Sequence, residues 1–249
     1  MKQMIKIGAV ALAAAFVPAI LPAGDVEVEN AAALETEAEE ADDGMAVGWT
    51  PLAIGVFSPV QLPWGMAKWD VFGLDLNLLY SDAPKMYGLG IGGLAFTSRD
   101  YAKGLIVSAL CNWGSRNVYG MRATLGANVC RDTVYGFEAG CFGYRKDFWG
   151  IDVNFLGSLQ KNVTGWQIGG LVNMVDNQSY GLETALGINM SGIAYGCQLG
   201  GGNFTDELHG AQIGFLNYAK ECPWGFQIGI INIIMDNTLK VLPIVNGYF

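Results

Sequence analysis

Residues with the chemistry of an active site are few in this chain. It has a single histidine, His209, and five cysteines that form no Cys-x-x-Cys pair. One histidine cannot complete a histidine-rich metal site, and no acidic or cysteine cluster surrounds it in sequence. A Gly-x-Ser-x-Gly elbow for a hydrolase triad is also missing. We therefore expect no enzyme activity, no cofactor and no metal site.

The segment Gly88–Gly93 matches the glycine fingerprint of dinucleotide-binding folds in its letters. That fingerprint works only where a helix follows directly, because the helix N-terminus holds the pyrophosphate. Here Thr97 to Asp100 is typical of a turn. We interpret these glycines as members of a repeat and not as a nucleotide site.

The repeat organises most of the chain. Gly225–Ile233 reads Gly-Phe-Gln-Ile-Gly-Ile-Ile-Asn-Ile, and units starting at Gly210 and Gly165 share its pattern. Twelve units follow one another at start-to-start spacings of 14 to 16 residues. A fixed period predicts a repeat architecture. The starting residues are Gly73, Gly88, Gly104, Gly120, Gly136, Gly150, Gly165, Gly181, Gly196, Gly210, Gly225 and Val241.

Apolar and polar residues alternate within each unit. With the starting glycine as position one, positions two, four and six are mostly apolar, and positions three and five are mostly polar or tiny. This period of two predicts a strand with one apolar and one polar face. Short polar connectors have hairpin length. Aromatic residues stand at both strand ends, such as Trp224 and Tyr218, and predict two girdles around an apolar band.

These patterns predict a twelve-stranded antiparallel transmembrane β-barrel over residues 71–249, built from repeats of about 15 residues. The chain is 15% charged, whereas soluble domains average about 25%. A parallel β-solenoid is the alternative, since stacked units would align Asn203, Asn217 and Asn232 into an amide ladder. A solenoid is expected to turn its polar face to solvent, which agrees poorly with glycine at position five. Gln212 beside Gln227 in parallel register would exclude the barrel.

Three segments precede the repeats. Residues 1–23 have a basic start, an apolar run and a small-residue end, the layout of a secretory signal peptide. Residues 24–44 hold nine acidic and no basic residues, which predicts disorder. Residues 45–70 form a lead-in that could be a short strand or a plug. The net charge of −9 comes mostly from the acidic segment, and no basic patch suggests a nucleic-acid partner.

The closing strand carries a family resemblance. The C-terminal Phe249 resembles the assembly signal of bacterial outer-membrane proteins. The Gly-x-Gln-Ile-Gly-x-x-Asn units with the closing Leu-Pro-Ile-Val-Asn resemble bacterial surface repeat-containing, or predicted outer-membrane, proteins over residues 71–249. Units from Gly120 to Gly150 depart from the pattern at the Gln position. The resemblance implies an outer-membrane location, with membrane lipid and the barrel-assembly machinery as partners; a periplasmic or cell-surface location is the alternative.

Polar positions are the remaining functional candidates. In a barrel they would line the lumen and decide what passes. One hypothesis is a passive channel for small polar solutes with a weak cation preference, since acidic residues outnumber basic ones at position three. The other is a non-conducting structural or surface-interaction protein. The candidates are Asp75, Arg122, Glu138, Asp152, Gln167, Glu183, Gln198, Gln212 and Gln227.

Overall fold

The computed structural model describes residues 48–57, 60–62, 64, 69–114 and 116–248, almost all of them in β-strands. Within these ranges no helix is both long and apolar enough to cross a membrane. The predicted signal peptide (1–23), the acidic segment (24–44) and Phe249 lie outside the described residues. The strands are β1 (Gly48–Phe57), β2 (Val60–Leu62), β3 (Trp69–Gly92), β4 (Ala95–Ser108), β5 (Cys111–Trp113), β6 (Asn117–Thr124), β7 (Ala127–Val129), β8 (Thr133–Gly169), β9 (Val172–Ile234) and β10 (Val241–Gly247).

Consecutive repeats stack in parallel and in register. Gly88 of β3 pairs with Gly104 of β4, which pairs in turn with Gly120 of β6. Farther along, Gly165 of β8 pairs with Gly181 of β9. Each repeat is therefore one coil of a parallel β-solenoid. The all-β prediction is confirmed, and the solenoid alternative describes the architecture.

The predicted twelve-stranded antiparallel barrel is wrong. Gln227 Nε2 donates a hydrogen bond to Gln212 Oε1 at 2.7 Å, the contact expected only of parallel coils in register. Alternation shows that a strand has two unlike faces but not which way its neighbour runs, and this is why the sequence favoured the wrong fold. The segments interpreted as hairpin connectors, such as Asp176 to Gln178, belong to the continuous course of β9.

The aromatic residues before the starting glycines form an interrupted ladder along one edge instead of the two predicted girdles, and at the far end of the strands Phe204 contacts Tyr218 with ring centroids 6.4 Å apart. Side chains that precede the starting glycines lie above one another along one edge of the solenoid. The ring centroids of Tyr119 and Tyr135 are 5.1 Å apart, and those of Tyr180 and Tyr195 are 4.6 Å apart. His209 continues the stack at 4.6 Å from Tyr195. In-register stacking gathers equivalent residues into a column, whereas antiparallel strands would have placed them at alternating ends.

The starting glycines are required by the backbone. Gly181 has a φ of 126°, a region that residues with a side chain rarely adopt. A Cβ atom there would lie 2.1 Å from the carbonyl oxygen of Gly165 in the preceding coil. The same contact recurs at every starting glycine from Gly88 to Gly225, so these residues form a spine of close backbone approach.

Both ends of the solenoid carry an antiparallel strand. β1 pairs in parallel with β3, and β2 lies antiparallel against its other side. At the far end β10 runs antiparallel to the last coil of β9 and contains Pro243. A change of direction and a proline both obstruct further parallel stacking. These short strands therefore act as end caps, as terminal repeats of solenoids commonly do.

The interior has a polar side and an apolar side. Positions three and five, and the asparagines that follow them, are mostly buried polar or tiny residues, with Ile106 as an apolar exception. Late positions of the coils supply the apolar side. Its main cluster includes Met86, Phe96, Val118 and Phe148, and a second cluster around Leu208 continues it.

Replacing Gly181 by Ala should destabilise the protein by about 3 kcal/mol or more, because strained φ and a backbone clash add together. Gly114→Ala is the matched control. It also has positive φ, at 93°, but its added Cβ would meet only the Thr97 methyl at 3.2 Å and the Ser98 oxygen at 3.5 Å. We expect a loss of about 1–2 kcal/mol there. Equal losses of urea-unfolding free energy would show that close approach is unimportant.

Candidate functional site

The nine candidate residues lie in a single column inside the solenoid. Each occupies position three of its coil, and each is at most 2% exposed. They were expected to line an aqueous lumen between antiparallel strands. The structure instead stacks eight of them in successive coils, and Gly90 and Ile106 separate Asp75 from Arg122. The column comprises Asp75, Arg122, Glu138, Asp152, Gln167, Glu183, Gln198, Gln212 and Gln227.

Glutamines form a hydrogen-bonded ladder in the last coils. Gln227 Nε2 donates to Gln212 Oε1 at 2.7 Å, and Gln212 Nε2 donates to Gln198 Oε1 at 2.8 Å. Gln198 Nε2 then donates to Glu183 Oε2 at 3.2 Å. Every donor in the ladder thus points toward the N-terminal end. Buried amides are costly unless they are paired, so the ladder demands exact register between coils.

A second ladder of asparagines runs beside the first and was only partly anticipated. Asn203 Nδ2 donates to Asn217 Oδ1, and Asn217 Nδ2 donates to Asn232 Oδ1, both at 2.8 Å. The same pattern starts earlier, with Asn173 bonded to Asn189 at 3.0 Å and Asn189 to Asn203 at 2.9 Å. These donors point toward the C-terminal end, so the side-chain dipoles of the two ladders oppose each other. The recurrence of Asn at position eight or nine was the available signal.

Four charged residues replace the amides in the middle coils. Arg122 Nη2 contacts Glu138 Oε2 at 2.5 Å, and Arg145 Nη1 contacts the other oxygen of Glu138. Arg145 Nη2 reaches Asp152 Oδ2 at 2.6 Å. Two cations and two anions alternate, so the buried network is balanced in charge. Sequence reasoning missed Arg145, because it stands late in its unit and away from position three.

Burial raises the pKa of Asp75, Asp152 and Glu183 in the column. Desolvation raises the pKa of Asp75 to about 6, against hydrogen bonds from Ser81 and Asn77 that lower it. Desolvation also raises the pKa of Asp152, opposed by the positive charge of Arg145. An excess of negative charge at position three suggested a cation preference. Arg145 cancels part of this charge, and protonation of Asp75 near pH 6 reduces it further.

The ladder has one break, at Gln167. Neither its amide nitrogen nor its carbonyl oxygen has a hydrogen-bond partner, although the side chain is fully buried. Glu183 in the next coil accepts a hydrogen bond from the Gln198 amide. When ionised, its carboxylate has no proton to donate to Gln167. Its Oε1 is also unpartnered. Desolvation raises the pKa of Glu183, only partly offset by hydrogen bonds from Ser179 and Gln198.

The outer surface of the strands is apolar. Positions two, four and six between Gly73 and Ile230 contain no charged residue and a single hydroxyl, Thr184. Many of these side chains are exposed, including Trp166, Ile213 and Ile228. We call this surface the outer face. It contradicts the expectation that a solenoid exposes its polar side: here the polar residues are enclosed and the apolar ones face outward.

Charged residues are confined to one edge. Among the described residues from Gly73 onward, every charged side chain that is not buried lies at position ten or later in its coil. Some of them bond along the stack: Arg99 pairs with Asp82 at 2.9 Å, and Asn162 Nδ2 donates to Asp147 Oδ1 at 2.6 Å. The solenoid is thus amphipathic, with a charged edge and an uncharged outer face.

Residues considered for catalysis stand in other roles. His209 stacks in the aromatic ladder, and its Nε2 lies 2.6 Å from Glu207 Oε1. None of the five cysteines, all of which the structure describes, forms a disulfide, and Cys130 and Cys222 are buried. No group of three or more His, Cys, Asp or Glu side chains in the described part of the chain is placed to hold a metal ion.

Comparison with protein-family models, curated proteins and solved structures gave no match. The resemblance to bacterial surface repeat proteins therefore stays a prediction, and function has to be inferred from the geometry of this chain.

Replacing Gln212 by Leu should cost about 2–4 kcal/mol of unfolding free energy, because it leaves Gln198 Oε1 and one amide hydrogen of Gln227 buried without partners. The other hydrogen of Gln227 Nε2 keeps its bond to the Ile233 carbonyl oxygen at 3.1 Å. Gln178→Leu on the charged edge makes the same chemical change at a half-buried site. We expect that control to stay within about 0.5 kcal/mol of the native protein. Similar small effects at both positions in urea unfolding would contradict a structural role for the ladder.

Replacing Glu183 by Gln should stabilise the protein, since the new amide can donate to the unpartnered Gln167 oxygen. The expected gain at pH 8 is about 1–3 kcal/mol. Because burial raises the folded-state pKa of Glu183, the contribution of this group to stability is fully present below pH 4.5 and is lost as pH rises through the folded pKa. The advantage of the variant should therefore grow with pH. Glu221→Gln, at an exposed site, serves as the control, and a gain independent of pH would argue against this account.

Proposed function

We propose that this protein is an exported, non-catalytic β-solenoid whose function is structural or surface interaction, exerted through its outer face. The observation that supports the proposal is that the two faces of each coil differ. Side chains able to bind solutes are enclosed and bonded to one another, whereas side chains able to bind apolar partners are displayed. Soluble monomers rarely expose contiguous apolar patches above about 300–600 Å².

Packing of the interior supports a non-conducting protein over a channel. The ladder amides of Gln212 and Gln227 bond each other, and Arg122, Glu138, Arg145 and Asp152 form a closed network. A conducting path would have to separate these groups, and each buried polar group left unpaired costs about 1–3 kcal/mol.

Export and location remain parts of the proposal that rest on the sequence. Residues 1–23 have the pattern of a signal peptide, and the closing strand resembles that of bacterial outer-membrane proteins. We propose a location in the cell envelope, at the outer membrane or the cell surface. The barrel-assembly machinery was predicted as a partner for a barrel, and its relevance to a solenoid is untested.

Planar-bilayer recording tests the proposal that the protein does not conduct ions. Folded protein, checked by circular dichroism, should add no current steps above baseline under conditions where a general porin conducts. Reproducible, voltage-stable steps from folded protein would overturn the proposal and support the channel.

The outer face can be tested with an apolar fluorescent dye on the folded protein. Replacing Ile213 and Ile228 by Lys should remove most of the dye fluorescence, because charge interrupts the apolar surface. Replacing Asn177 and Thr238 by Lys adds the same charge at the exposed edge and should leave the fluorescence unchanged. Equal losses from both double variants would place dye binding elsewhere.

A further inference from the structure

We propose that the outer face binds a second copy of this chain, turned end for end, to form a symmetric dimer. The inference rests on the proposed function, since it names the partner of the same face. It depends on one column of that face, formed by position six of each coil.

Position six carries the most outward-facing apolar side chains of the coils. Leu125 and Leu186 are each 85% exposed, Phe155 is 75% exposed and Phe215 is 70% exposed. Small residues stand between them. From the N-terminal to the C-terminal coil the column reads Leu78, Gly93, Ala109, Leu125, Cys141, Phe155, Gly170, Leu186, Gly201, Phe215 and Ile230.

The backbone keeps this column aligned. A Cβ added to Gly170 would lie 1.8 Å from the carbonyl oxygen of Phe155, and one added to Gly201 would lie 2.8 Å from that of Leu186. Each of these glycines, which leaves a hole in the surface, therefore sits directly above a large side chain, which forms a knob. Adjacent strands of a sheet are about 4.8 Å apart, so knobs on alternate coils recur every ~10 Å along the middle of the column.

The column complements itself when a second copy is turned end for end with Gly93 opposite Ile230. In this register every pair within the ten coils from Gly93 to Ile230 joins a large side chain with a small one, and Leu78 lies beyond the last pair. The five pairs are Gly93 with Ile230, Ala109 with Phe215, Leu125 with Gly201, Cys141 with Leu186, and Phe155 with Gly170.

This pairing corresponds to a real symmetry operation. A two-fold axis parallel to the strands, passing between the coils of Phe155 and Gly170, turns one outer face onto another and reverses the order of the coils. The rotation does not change the order of positions along a strand, so position six of one copy faces position six of the other. Such an interface is isologous and closes at two copies.

Size and charge of the outer face suit a dimer. Ten coils at about 4.8 Å and six positions at about 3.3 Å give a face of roughly 950 Å² per copy. A stable interface needs about 800 Å² per partner. No charged residue occurs at positions two, four or six, so two faces can meet without burying an unpaired charge.

A lipid surface would also accept an uncharged face, but it does not explain the column. Lipid chains are fluid and adapt to any outline, so neither alternation nor mirror order of sizes would matter to them. Interdigitating side chains between paired sheets do require this matching of sizes. The column therefore favours a second copy of the chain over a membrane.

A size swap at one pair tests the dimer. Ala109→Phe fills a hole, and Phe215→Ala removes the knob opposite it; each should raise the dimer Kd at least about tenfold in sedimentation equilibrium. The double variant restores one large and one small residue with their places exchanged. Its Kd should return to within about threefold of the native value. A dimer indifferent to both single variants, or a double variant that is worse than either, would overturn the proposed register.

Cross-linking tests the same register through a native thiol. Cys141 is a free, half-buried cysteine that should face Leu186 of the second copy. Leu186→Cys should therefore give a disulfide-linked dimer on treatment with copper–phenanthroline, and adding Cys141→Ser should abolish it. Phe215→Cys is the control, since it would lie two coils, or roughly 10 Å, from Cys141 of the second copy, beyond disulfide reach. Equal cross-linking of the two variants would contradict the pairing.

Two further outcomes separate this inference from the proposed function. A native protein that stays monomeric at all concentrations but floats with phosphatidylglycerol-containing vesicles would overturn the dimer and make lipid the partner of the same face. A native dimer that conducts in bilayers would overturn the proposed function while leaving the self-association intact.

Discussion

Close approach of backbones at the starting glycines is the constraint on which the rest of the solenoid depends. Gly165 and Gly181 are so near that no side chain fits between them. This contact repeats in every coil and holds equivalent residues above one another. Only in that register can Gln212 and Gln227, or Asn217 and Asn232, bond along the stack. The amide ladders in turn penalise any slip of register, because a displaced amide would be buried unpaired.

Enclosing the polar side and displaying the apolar side is an inversion of the usual arrangement. It is stable inside because the amides satisfy each other and because late positions, such as Met86 and Phe148, still form an apolar core. On the outside, no described part of the chain covers the apolar side chains of the outer face. The hydrophobic effect therefore favours contacts of the outer face with other molecules, and the proposed function rests on this.

Variation along the solenoid is concentrated in the middle coils. There the amide ladder gives way to the alternating charges of Arg122, Glu138, Arg145 and Asp152. An ionic stack needs more exact partners than an amide ladder, since each removed charge leaves another one buried. Changes of repeat length are absorbed at bulges near the charged edge, as between Gln160 and Asn162, so that the glycine spine and the column of position three remain aligned.

The amino-acid sequence by itself determined the repeat, its period, the strand character of each unit and which residues share a face. These properties are local, because alternation and turn chemistry act over a few residues. The direction of neighbouring strands was decided only by the tertiary structure: the same alternation suits a barrel or a solenoid, and the choice depends on contacts between residues about 15 positions apart. The pairing of Arg145 with Glu138 and Asp152, and the break at Gln167, were hidden for the same reason. The sequence also showed an apolar and a polar face, but only the closing of each coil around its amides decided which face was turned outward. Amides that pair along the stack can be buried at little cost, and the alternating apolar side chains of the same strands then point outward.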